Sequence, residues 1–276
     1  MAKASAFPET TASRSAHREL PGGRRARFAP RELSAMETMH VDAAIAREVA
    51  AAFDATPSTR QDALVAAAYA SLERQTDRLF AEITRPGNPS RVHVVFTSGP
   101  TPYANDQELI NAVRSDGVLE VRTAATEPDR RHPMLDCERG GAYDRFRAVH
   151  DILGHVRLGC GFDPDGEYTT WRFQERRYRG LARWALATEL HAEHSVLWTT
   201  GQLAEHKAIL LSRALLARAR RGLQPTQQVR KASPSPPSTT SSEASGIYVD
   251  IVSAELLTRR TNEGLIPAAC SRPGEA

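Results

Sequence analysis

A chain of 276 residues with 41% hydrophobic and 25% charged side chains can bury a sizeable core, which argues against wholesale disorder. Its cysteines, Cys137, Cys160 and Cys270, lack any paired spacing; that speaks against a disulfide framework and a thiolate zinc site, and suits a reducing compartment. The net charge of +3 is small, no run reaches the roughly 18 apolar residues of a membrane span, and the N-terminus lacks the apolar stretch of a secretory signal, so a cytoplasmic protein without membrane association is expected.

Residues 1–33 are rich in Ala, Ser, Pro, Gly and Arg without apolar period and read as a disordered basic tail. Within residues 1–31, Lys3, Arg14, Arg18, Arg24, Arg25, Arg27 and Arg31 outweigh Glu9 and Glu19. Such a tail reads as solvated rather than as a nucleic-acid contact. Ser34-x-x-Glu37 has capping-box spacing and predicts a helix carrying Met36, Met39, Ala43 and Ala46 on one face. Ser58-x-x-Gln61 predicts a second, striped by Leu64, Ala68, Leu72, Leu79 and Ile83 and ended by Arg85-Pro86-Gly87-Asn88-Pro89.

Val92 to Thr97 predicts a strand, Asp106–Arg114 a helix, and Val118–Val121 a second strand, a small βαβ-like piece. From Tyr143 to about Arg221 the pattern is helical, interrupted near Gly154–Gly166. Residues 223–246 read as a low-complexity linker, and 247–276 as a C-terminal tail that could dock back. The expected fold is mostly α with a small β component (α+β), with one α-rich domain over 34–222 and its metal site within 143–212.

Five of the nine histidines fall between 150 and 206, and all three tryptophans between 171 and 198. The sharpest feature is VHDILGHVRLG (149–159), with His150 and His155 five apart. On a regular helix residues i and i+5 differ by about 140°, so both imidazoles would not face one ion. Gly154 supplies the freedom to end or distort the helix so that the second ring swings back. A divalent ion then needs a carboxylate. Glu189 in LARWALATELHAEH is the first candidate, with Glu193 one turn on as ligand, orienter or catalytic group. Glu167, at the start of a helix, is the alternative ligand. Each has a plainer reading: Glu189 as the partner of Arg183 or Lys207, Glu167 as a helix cap, and His191 and His194 as peripheral or surface groups. Trp171, Trp184 and Trp198 read as core more than as a substrate platform, and Arg172, Arg176, Arg177, Arg179 and Arg183 as a solvated face.

With HDILGHV at 150–156 and ATELHAE at 187–193, residues 145–212 resemble the pterin-dependent aromatic amino acid hydroxylases. The resemblance implies His150, His155 and Glu189 as ligands of Fe(II). It places Asp151, a candidate catalytic and cofactor-binding residue, near a tetrahydropterin. The chain departs from that family in having Asp151 for Glu, Arg157 for the proline after H-V, and a shorter gap from His155 to the ligand Glu. The segment RFRAVHDILGH…GE…W…LARWALATE also looks like a domain of large phage and mobile-element proteins.

The expectation is a mononuclear non-haem iron oxygenase, hydroxylase-like, acting on a small substrate, an aromatic one among the candidates, in the tryptophan-rich region. One rival is a metal-dependent phosphohydrolase built on His150-Asp151, His132 and Asp163 or Asp165. Another is a non-catalytic mobile-element module whose basic tail contacts nucleic acid.

Overall fold

The computed structural model describes residues 38–100, 102–126, 132–135 and 138–223. The Ser34–Glu37 capping box, the basic tail and all of the linker and C-terminal segment beyond Leu223 lie outside the described residues.

The fold is mostly helical with one small sheet. Helix α1 (Ala43–Ala55) starts where the Asp42 carboxylate accepts from the amides of Ala44 and Ile45. Met39 therefore belongs to an extended lead-in, its amide donating to Thr169 Oγ1. Helix α2 (Ala63–Thr84) is capped by Asp62, which accepts from Leu64 and Val65, rather than by Ser58. That start leaves Leu64 exposed and turns Val65, Ala68, Leu72 and Ile83 inward.

Strands β1 (His93–Thr97) and β2 (Val118–Arg122) pair in parallel, His93 opposite Val118 and Thr97 opposite Arg122. Helix α3 (Asp106–Asp116) crosses between them, capped by Asn105 and ended by the left-handed Gly117. Helix α4 (Ala142–His150) continues into a π-helical stretch, Asp151–Val156. Helix α5 (Pro164–Gln174) begins at Asp163, whose carboxylate accepts from Asp165 and Gly166 with Pro164 in the first turn, an arrangement that suits both caps and proline. Helix α6 (Leu181–Ala187) passes through a second π-helical stretch, Thr188–Ala192, into α7 (Glu193–Thr200). Helix α8 (Arg213–Ala219) follows.

The helical reading of the whole stretch to Arg221 fails between α7 and α8. Gly201, left-handed, closes α7, and residues 202–212 run without helix. Neighbouring side chains take up their carbonyls: Thr188 Oγ1 donates to Ile209, and Trp184 Nε1 to Leu211. The Thr59 amide donates to Ala208. These bonds replace part of what a helix would have supplied to the segment.

Two apolar cores result. One gathers α1, α2, α5, α6, the segment from Ala208 to Leu211 and α8 around Phe53, Leu72, Trp171 and Leu186. The other packs the sheet and α3 around Val113, Leu119 and Val121. Helix α4 and its π extension serve both, Tyr143 and Phe146 facing the first and Val149, Ile152 and Val156 the second. The two signature histidines thus sit on the wall shared by both cores.

Candidate metal centre

The five-residue spacing is resolved by the π-helical stretch. Its i→i+5 hydrogen bonding adds a residue to the turn and brings position i+5 back over position i. His150 Nε2 and His155 Nε2 lie 3.1 Å apart in consequence. The widened turn is supported from α3, where the Arg114 guanidinium donates to the Val156 carbonyl through both Nε and Nη2.

Gly154 does not break this helix. A Cβ at that position would fall 2.1 Å from Thr170 Cγ2, so the glycine is what lets α5 approach the π-helical stretch. Glu167, one turn before Thr170 on the same helix, is thereby delivered to the histidines. Its Oε2 is 3.3 Å from His150 Nε2 and its Oε1 3.4 Å from His155 Nε2. His194 on α7 adds a third imidazole, Nε2 3.7 Å from Glu167 Oε1. Donors about 2.1 Å from an octahedral ion sit about 3 Å from one another when adjacent. The His150, His155 and Glu167 atoms have that spacing.

The hydrogen bonds behind the rings fix their tautomers. His150 Nδ1 donates to Gln174 Oε1, His155 Nδ1 to the Cys160 carbonyl, and His194 Nδ1 to the Leu190 carbonyl. Each outer nitrogen thus carries a proton, and the three Nε2 atoms present lone pairs toward one carboxylate. All four residues are buried. A carboxylate buried out of water is stabilised by a proton on a facing ring or by a bound cation. Burial alone would lower the His155 pKa, yet Glu167 and Asp151 beside it raise it to about 9. Burial would likewise raise Glu167, but the facing imidazoles of His194, His155 and His150 hold it well below the usual carboxylate range. A proton on His155 balances the charge of Glu167, and a divalent ion in its place would also meet the lone pairs of His150 and His194.

His150, Asp151 and His155 also offer donors within 4.8 Å of one another, a group able to hold a metal ion. Burial raises the Asp151 carboxyl, with the two histidines and Arg147 pulling the other way.

Glu189, expected beside the histidine pair, is held elsewhere. Its Oε1 accepts from Tyr69 Oη at 2.5 Å and lies 3.2 Å from His132 Nε2. Glu167, the alternative in the sequence, occupies the place against His150 and His155. The reason is the close approach at Gly154, which no sequence pattern displays. Glu193 pairs with His206 at 3.2 Å. The suggested partners of Glu189 are engaged differently: Arg183 lies against Glu175, and Lys207 donates to the carbonyls of Asp54 and Thr56. Three arginines in fact converge on the buried Glu175, Arg172 and Arg220 being the others, so that part of the basic stretch is anchored. The residues needed for a phosphohydrolase are dispersed as well. His132 serves Glu189, Asp163 caps α5, and Asp165 pairs with His40.

One cavity connects these groups. His150, Asp151, His155, Glu167, His194, Glu189, Glu193 and His206 all reach it, as do Tyr103, Phe146 and Phe162. No tryptophan lines it. Trp171 is instead core, stacked face to face on His191 at 4.2 Å. His191 is buried rather than peripheral, and burial lowers its pKa to about 3. The sequence reading also missed His194 as part of the centre. A signal existed: it follows Glu189 by five residues across a π-helical stretch, the same spacing that joins His150 to His155. Among the described residues, no helix is long and apolar enough to cross a membrane. No protein-family model, curated protein or solved structure matches the chain.

Proposed function

We propose that the chain is a non-haem iron oxygenase whose Fe(II) is held by His150, His155 and Glu167, with His194 as a fourth donor. One observation carries this reading: three buried imidazoles, each with its Nδ1 proton committed to a carbonyl oxygen, aim their free nitrogens at one buried carboxylate. Two or three imidazoles with a carboxylate suit iron and leave coordination positions open. Bound there, iron would supply the capacity to bind and reduce dioxygen.

The chain's own residues prepare the site. Gln174 and the Cys160 and Leu190 carbonyls hold the rings in orientation, which strengthens metal binding through the ligands they fix. Asp151, in the same cavity and with a raised pKa, can carry a proton near the metal-binding side. Tyr103, Phe146 and Phe162 give the cavity an aromatic wall, suited to a flat substrate or to the tetrahydropterin that the hydroxylase resemblance implies.

The test is iron content after purification without chelator, followed by the nitric oxide adduct's electron paramagnetic resonance signal. The reading requires iron in the wild-type chain and its loss in His150→Ala, His155→Ala and Glu167→Ala. Full iron occupancy in the Glu167→Ala variant would overturn the ligand set. A chain that takes up no iron under anaerobic Fe(II) would overturn the function.

A further inference from the structure

A second set of metal-capable side chains faces the same cavity and has no role in the centre just described. Glu189 and Glu193 stand one turn apart on the continuous helix formed by the π-helical stretch and α7. Glu189 is fixed through one oxygen only: Tyr69 and His132 both engage Oε1, while Oε2 is buried with no hydrogen-bond partner among the described residues. An orphaned carboxylate oxygen in a dry site is costly unless a cation or proton meets it. His132 accepts the Met134 amide at Nδ1, so its Nε2 carries the proton that it gives Glu189; it orients the carboxylate and is not itself a donor to metal. His206 sets its Nδ1 3.2 Å from Glu193 Oε1, and its ring centre is 5.9 Å from that of His132.

Glu189, Glu193 and His206 all line the one cavity, His206 with Nδ1 on Glu193 and Nε2 3.5 Å from Tyr143 Oη, and two carboxylates with an imidazole are donor types that suit a divalent transition ion. We propose that the cavity binds a second divalent cation on Glu189, Glu193 and His206, beside the one on His150, His155 and Glu167. Tyr69 and His132 are the positioning residues that turn the free oxygen of Glu189 toward it. This rests on the reading of the cavity as a metal site and extends it from one ion to two.

The experiment counts metal. The full chain is freed of metal, loaded anaerobically with Fe(II), passed through a desalting column and measured by elemental analysis against protein. Two ions per chain are expected for wild type and one each for Glu189→Gln and His206→Gln, with His155→Ala also losing its own ion. Circular dichroism melting checks that each variant folds. His206 is partly exposed, so its substitution tolerates loss better than that of Glu189. A wild-type count of one, unchanged in both variants, overturns the second site and leaves the first intact. A count of two that neither variant lowers overturns the assignment to these residues. A wild-type count of zero removes both readings.

Discussion

Gly154 and Thr170 touch so closely that a methyl group on the glycine would sit 2.1 Å from Thr170 Cγ2 and 3.2 Å from its Cβ. This contact sets the separation of the π-helical stretch from α5, and with it the distance of Glu167 from His150 and His155. Stability and the geometry of the proposed metal site are therefore tied to one missing side chain.

Substituting Gly154→Ala should cost about 1–3 kcal/mol through overpacking and should weaken metal binding, because α5 must retreat with Glu167. Adding Thr170→Ala removes the nearest clash and should restore part of both. Thermal melting and metal titration of the single and double variants test this; a single variant indistinguishable from wild type would break the proposed link.

The metal-free protein should lose stability as pH rises from about 6.5 to about 9. His155 has a folded pKa raised to about 9 from an ordinary 6.5. Its protonated form therefore stabilises the fold fully below the lower value, and that contribution vanishes on passing the upper one. Metal displaces the same proton, so affinity for a divalent ion should climb over the same interval. Melting curves with and without metal across this range should diverge as pH increases. Parallel curves would count against a shared site for proton and metal.

His191 governs the acid side. With its pKa lowered to about 3 by burial, it stays neutral when folded, whereas the unfolded chain takes up a proton below about 6.5. Its contribution is complete above that pH and is lost as pH falls toward 3. The variant His191→Phe, which keeps the stack on Trp171, should show a shallower loss of melting temperature between pH 6.5 and 4. An identical slope would refute the assignment.

Glu175 holds Arg172, Arg220 and Arg183 together at the base of α5. Glu175→Gln should destabilise by about 2 kcal/mol, below the full cost of breaking a buried pair, because the arginines keep contact with water. Denaturant unfolding measures it. Metal content should stay at the wild-type level.

Much of the architecture was legible from local sequence. The β-branched run Val92 to Thr97, the helical pattern at Asp106–Arg114 and the second run Val118–Val121 foretold the strand–helix–strand unit, since each signal acts over a few neighbouring residues. Helix starts were less secure: Asp62 caps α2 where Ser58 had spacing for it, because several polar residues near a boundary compete and packing picks one. HDILGHV marked the histidine pair, and its spacing problem correctly demanded a distorted helix. The sequence determined which side chains could bind metal and which helices carry them. Only the tertiary structure decided which carboxylate meets them. Glu167 and Glu189 are equivalent as chemistry, and the choice follows from helices crossing closely at Gly154 and from Tyr69 and His132 engaging Glu189, contacts between residues far apart in the chain.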